Sequence, residues 1–282
     1  MTTARLLIAC PDARGVVAGV ASHLADAHCN ILEADQHTDP DEGSFFMRLE
    51  FSLGGRSRDD VLGDAWDQLA DRFSMRWRFD DGTRAKRVAI LSGKETHCLS
   101  DLLWRWSIDE LRCEIPLVIS NHESGRAITE AFGIPFHHLP VTPETKGAQE
   151  AQIASLLSDH DIDLVVLARY MQVLSPSVVE PYPSRIINIH HGFLPAFAGA
   201  RPYDQAFRRG VKIVGATAHY VTDELDDGPI IAQQTTHISH RDTVADLVRK
   251  GRDLERVVLA EAVRLHLEDS VIVTGRRTVV FA

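Results

Sequence analysis

The chain opens with an apolar run, Arg5–Cys10, closed by Pro11-Asp12, and then changes period. Val16, Val17, Val20 and Leu24 recur at helical spacing as far as Cys29, which predicts a helix with one apolar stripe. Gly15 stands at its start, and Asp12 is placed to cap it. Asn30–His37 alternates at period two, Asp39-Pro-Asp-Glu-Gly43 reads as a turn, and Ser44–Phe51 alternates again, so a hairpin is expected. An amphipathic helix over 57–73, carrying Val61, Leu62, Trp66 and Leu69, precedes a last strand at Met75–Phe79. The order βαββαβ is that of a split βαβ sandwich.

Residues 80–87 are charged and contain glycine, which marks a linker at 83–87 between a domain of 1–82 and one of 88–282. Beyond it, short apolar runs (Val88–Leu91, Ile115–Ser120, Ile134–His137, Leu164–Leu167, Ile186–Ile189) alternate with helical patterns near 98–110, 124–132, 144–160 and 203–209. That alternation predicts an α/β domain with a mainly parallel, Rossmann-like sheet covered on both faces. Strands 211–222 and 229–238 follow one another through a short loop and are expected to extend the sheet in antiparallel fashion. A helix over 242–267, with Val244, Leu247, Val248, Leu254, Val257, Val258 and Leu265 inward, and a hairpin at 271–281 end the chain.

Composition narrows the picture. At 282 residues, with 44% hydrophobic and 25% charged content, the chain reads as an ordinary globular protein of one or two domains. The first residues lead straight into a strand, so no signal peptide is expected, and no apolar stretch nears the ~20 residues that cross a bilayer. Four scattered cysteines read as free thiols of a cytoplasmic protein. A net charge of −10 disfavours a nucleic-acid surface.

The polar residues that interrupt the apolar strands carry the chemistry. Asn188 and His190 lie where the strand from Ile186 runs out, two apart and therefore on one face. Thr217 and His219 sit likewise on the strand that leads to Asp226. In open α/β sheets ligands are met at the carboxyl ends of strands. An amide can donate to a developing oxyanion, an imidazole can handle a proton, and a carboxylate can activate water. Asn188 as a strand cap and His190 as a satisfied core histidine is the simpler account of this short pattern. The loop after the first strand of the larger domain, Ser92-Gly-Lys-Glu-Thr-His97, has one glycine, and neither G-x-G-x-x-G nor G-x-x-x-x-G-K-[ST] occurs. Dinucleotides and nucleoside triphosphates are therefore disfavoured. Fourteen histidines invite a metal, yet His190-His191 diverge from a strand, and no H-E-x-x-H is present. No metal and no cofactor are expected.

Taken together, Asn-Ile-His-His-Gly-Phe-Leu-Pro-Ala-Phe-Ala-Gly-Ala-Arg-Pro-Tyr at 188–203, Gly-Ala-Thr-Ala-His-Tyr-Val at 215–221 and Leu-Asp-Asp-Gly-Pro at 225–229 resemble the 10-formyltetrahydrofolate deformylases of the folate-dependent formyltransferase superfamily. Phe45-Phe-Met-Arg48 extends the resemblance into the N-terminal half. It implies a formyltransferase-type fold and hydrolysis of 10-formyltetrahydrofolate to formate and tetrahydrofolate, with Asn188, His190 and Asp226 catalytic. It further implies that Arg169, Met171, Gln172, Val173 and Leu174 border the pterin, with 221–226 opposite and Thr217 and His219 in support. Gln172 stands where relatives often carry Arg, and Gly192 where a serine is expected. Glycinamide ribonucleotide formyltransferases resemble the larger domain but use a Gly-rich phosphate loop after its first strand, unlike 92–97 here. The rival activity is formyl transfer to an amine. Pro-Asp-x-x-Gly at 11–15 and Asn30-Ile31 resemble an ACT domain, which implies an amino-acid effector near Asp12, Gly15 and Asn30 and a homo-oligomer.

Overall fold

The structure, a computed structural model, describes residues 3–196 and 201–281. Contacts divide the chain into two units: Met1–Ala85 with Glu268–Thr274 and Val279–Ala282, and Lys86–Leu267 with Gly275–Thr278. None of the helices among the described residues is long and apolar enough to cross a membrane.

The first unit runs β1 (Thr3–Pro11), α1 (Val16–Asp26), β2 (Asn30–Asp39), β3 (Ser44–Ser52), α2 (Arg58–Val61), α3 (Asp64–Arg72) and β4 (Arg76–Asp80). Its sheet has the order β2-β3-β1-β4 with antiparallel neighbours. Leu6, Ile8, Leu49 and Phe51 face Val20, Leu24 and Trp66 of the helices in one core. Leu7, Ala9 and Phe46 point to the other face and pack with Ile272, Val279 and Phe281. Both faces of β1 are thus covered, which is why its sequence is a continuous apolar run rather than an alternation. Arg48, buried, fixes the same C-terminal segment by donating to the carbonyls of Asp269 and Glu268, each at 3.2 Å. The C-terminal strands therefore serve this unit, although they follow the larger domain in the chain.

Three local expectations change. Asp12 does not cap α1: Gly15 is the N-cap, at φ 95°, without a side-chain bond, and Asp12 gives its backbone N–H to Gly43 O at 2.8 Å. The helix expected over 57–73 is two helices. Ser57 and Asp60 form a capping box that starts α2, and α3 begins afresh from Gly63. Finally, β2 is exposed along most of its length despite its alternation, with Leu32 56% exposed.

The second unit contains β5 (Arg87–Ser92), α4 (His97–Ser107), β6 (Glu114–Ser120), α5 (Arg126–Ala131), β7 (Phe136–His138), α6 (Lys146–Asp159), β8 (Leu164–Ala168), α7 (Pro176–Val179), β9 (Ile186–His190), α8 (Pro202–Arg209), β10 (Ile213–Tyr220), β11 (Ile230–His237) and α9 (Val244–Leu267). The terminal strands β12 (Val271–Thr274) and β13 (Arg277–Val280) form their own two-stranded sheet. The seven strands are ordered β11-β10-β9-β8-β5-β6-β7; β5 to β9 are parallel, and β10 and β11 continue antiparallel. Ala89, Leu91, Leu117, Val165 and Leu167 are buried against Ile153 and Leu157 of α6. Each such Val, Leu or Ile side chain contributes roughly 1.5–3 kcal/mol on burial. From β5 the chain winds outward through β6 and β7, then returns to the opposite side of β5 at β8. That reversal opens a crevice at the carboxyl ends of β5 and β8.

Candidate active site

The crevice is closed tightly at its base. A Cβ on Gly93, just after β5, would overlap the Arg169 carbonyl just after β8, so only glycine lets these two turns meet. Arg169 itself lies in left-handed backbone at φ 61°. Next in the sheet, β9 and β10 pair antiparallel with His190 opposite Thr217 and Asn188 opposite His219. Directly paired residues share a face, and so do residues two apart, which brings all four side chains to one side of the sheet. Asp226 comes from the loop after β10, again in left-handed backbone at φ 57°. That loop is held where Gly228 passes over the Tyr220 carbonyl so closely that a Cβ would overlap it.

The polar atoms fall into two linked pairs. His190 Nδ1 lies 3.2 Å from Asp226 Oδ2, and Asn188 Nδ2 lies 3.2 Å from His219 Nε2. His219 Nδ1 is 2.9 Å from the Tyr220 carbonyl, so Nδ1–H donates there and Nε2 accepts from the Asn188 amide. Burial lowers the His219 pKa, which keeps that ring neutral in this tautomer. Asp226 Oδ1 stands 3.9 Å from the same Nε2, so its carboxylate sits between two imidazoles. His190, donating from Nδ1, carries its lone pair on Nε2, which is buried without a hydrogen-bond partner among the described residues. That ring packs on Gly192, where a Cβ would stand 2.9 Å from Nε2 and 3.2 Å from Pro202 Cβ. A side chain at this position would require the imidazole or Pro202 to give way slightly.

A cavity of about 230 Å³ opens onto these groups, walled by 169–174 on one side and 221–226 on the other. Arg169, Met171, Gln172, Val173, Leu174 and His219 all line it, as do Asn188, His190 and Asp226. Met171 and Val173 are 61% and 55% exposed, an uncovered apolar wall suited to a flat ring system. Thr217, expected in support of the substrate site, is not in this lining. Fully buried, its hydroxyl donates to Gly192 O at 2.9 Å and accepts from Leu194 N and Gln233 Nε2, stitching the loop after β9. Asp12, Gly15 and Asn30 lie in the first unit: Asp12 and Gly15 between β1 and α1, Asn30 at the start of β2 opposite Ser52.

One residue of this region escapes the sequence reading. Glu255 of α9 is 1% exposed, accepting from Tyr203 Oη and His97 Nε2, both at 2.8 Å, with Arg169 Nε at 3.3 Å. Burial raises its pKa, but His97, Arg169 and Tyr203 outweigh burial and hold the carboxyl below its ordinary value. The available signal was positional, since Glu255 shares the buried face of α9 with Gly251, Val258 and Ala262 at helical spacing. Val257, expected inside, is 41% exposed. Beside this cluster, His191 has its pKa lowered to about 4, first by burial and then by Arg169, and is neutral near pH 7. His97, Cys98 and Glu255 offer three atoms within 4.8 Å of one another, a metal-like grouping. Here the Glu255 oxygens are committed, a guanidinium stands beside them, and burial pushes the Cys98 thiol well up. The donor set does not suit a cation.

Residues 86–263 match the formyl transferase family. The chain is 54% identical over 282 residues to a formyltetrahydrofolate deformylase of Synechocystis, covering 99% of each, and 48% identical over 279 residues to one of Bacillus subtilis, covering 98% of this chain and 93% of that one. A crystal structure of a formyltetrahydrofolate deformylase from Pseudomonas syringae superposes with a TM-score of 0.96 at 49% identity, covering all of this chain and 95% of the other.

Proposed function

From its membership of the formyltetrahydrofolate deformylase family, to which this chain belongs, we infer that it hydrolyses 10-formyltetrahydrofolate to formate and tetrahydrofolate. The observation that carries the mechanism is the juxtaposition of the Asn188–His219 and His190–Asp226 pairs at the wall of one apolar-sided cavity. The pterin ring lies between 169–174 and 221–226, which supply apolar surface and main-chain groups. Water, activated by the His190–Asp226 pair, attacks the formyl carbon, and the carbonyl oxygen becomes an oxyanion. The second Asn188 N–H stabilises that charge, and His190, whose Nε2 lone pair can accept a proton, carries the proton between the water and the leaving nitrogen. Collapse breaks the bond from carbon to N10, the proton passes to that nitrogen, and formate leaves. His219 acts through Asn188: by accepting one amide hydrogen it fixes which way the amide points. No cofactor is assigned, since the substrate supplies the activated formyl group and the side chains supply proton transfer.

The N-terminal unit contributes an ACT-type fold, and we assign it to assembly and effector binding, with Asp12, Gly15 and Asn30 near the effector. The decisive experiment supplies 10-formyltetrahydrofolate without any amine and follows formate and tetrahydrofolate. Stoichiometric release of both is expected. A requirement for an amine, with a formylated amine as product, would make the chain a transferase.

A further inference from the structure

Arg169 and His191 line the cavity described above and also a neighbouring one of about 220 Å³. The charged groups around the second cavity come in pairs. Arg169 faces Glu255 at 3.3 Å, Arg201 faces Asp204 at 3.0 Å, and Arg252 faces Glu95 at 2.7 Å. His191 is neutral near pH 7. Among the described residues lining this cavity, every formal charge is therefore cancelled. Residues 197–200, Phe-Ala-Gly-Ala, contain no ionisable side chain. The cavity adjoins the reacting groups, because His191 follows His190 and their ring centroids are 5.4 Å apart.

We propose that these three ion pairs select water as the acceptor by leaving the second cavity without net charge. The proposal rests on the hydrolase reading. An acceptor entering from this side carries a charge whenever it is a phosphorylated amine or a protonated one. A phosphate needs uncancelled cations to repay its desolvation, and an ammonium needs uncancelled anions. This cavity offers neither, whereas water asks only for dipoles. The Arg252–Glu95 pair is 49% and 41% exposed on its two sides. Such exposed pairs add little to folding, so its charges are free to serve selectivity. Glu95 also lies in the loop after β5, where a phosphate-holding loop would stand, and it pairs there with Arg252.

The test removes one negative charge without changing shape. Hydrolysis is measured for the wild type, Glu95→Gln and Asp204→Asn across a range of inorganic phosphate, with aminoethyl phosphate as a trial acceptor. The wild type should be insensitive to phosphate. Each variant should keep hydrolysing in its absence, but become inhibited with a phosphate affinity about 5-fold or more higher, an effect that fades with added salt. The exchange Glu95→Arg with Arg252→Glu restores neutrality and should restore insensitivity. Formylated aminoethyl phosphate appearing only with the single variants would be the fullest confirmation. Equal phosphate sensitivity in wild type and variants would overturn the proposal, as would inhibition that persists in the exchanged pair. Loss of hydrolysis in the wild type itself would instead strike the hydrolase reading.

Discussion

At the scale of single residues, function rests on tautomers and on who accepts from whom. Asn188→Ala, His190→Ala and Asp226→Asn should each lower kcat by about 10²–10⁴-fold while the protein stays folded. Double variants should cost little more than singles, because the groups act as one unit. Steady-state kinetics beside circular dichroism checks this, and near wild-type turnover would remove a residue from the assignment. His191 makes a separate prediction about pH. Its folded pKa of about 4 lies below the ordinary 6.5, so the unfolded chain takes up the proton first as pH falls. Stability is therefore complete above about pH 6.5 and drains away towards pH 4, by up to about 3 kcal/mol. Buried His219 acts in the same direction. Denaturant unfolding across that window should lose much of its slope in His191→Gln; an unchanged slope would refute the assignment.

At the scale of elements, close backbone approaches decide where the loops go. Asp226 reaches His190 only because the loop after β10 turns back at Gly228 against the Tyr220 carbonyl. Gly228→Ala must push that loop away, since the obstacle is backbone and cannot swing aside. We expect about 2–3 kcal/mol of destabilisation and at least a tenfold loss of kcat, read by thermal unfolding and kinetics together. Gly251 plays the analogous part on α9, where a Cβ would overlap the Tyr203 ring that reaches Glu255. Gly251→Ala should lower stability and raise KM through Arg169, whereas an unchanged KM would limit that cluster to a structural role.

At the scale of the whole molecule, the division into units does not follow the order of the chain. Ile272, Val279 and Phe281 pack with Leu7, Ala9 and Phe46. A chain beginning at Lys86 would leave these apolar side chains uncovered. It should aggregate or run as large species in size-exclusion chromatography, while one trimmed also from Glu268 should be better behaved. A monodisperse, fully active chain of 86–282 would show that this packing is dispensable.

The alternation and period of apolar residues determined the βαββαβ order, the parallel α/β unit and its antiparallel extension, because those patterns are set by local geometry. The run 188–203 with 215–229 marked Asn188, His190 and Asp226 through its resemblance to the deformylases, since strand ends and a spacing of two left the simpler account of Asn188 and His190 open. Tertiary structure decided the rest. That Thr217 stitches a loop instead of lining the cavity follows from which neighbours its hydroxyl meets across β11 and the loop after β9. That Asp12 leaves α1 uncapped follows from its bond to the turn at Gly43. Glu255, unmarked in the sequence, gains its place only when His97, Arg169 and Tyr203 converge from three other segments. Such contacts join residues up to 158 positions apart. No local period encodes them, because what stabilises a buried carboxylate is the set of donors brought to it by folding.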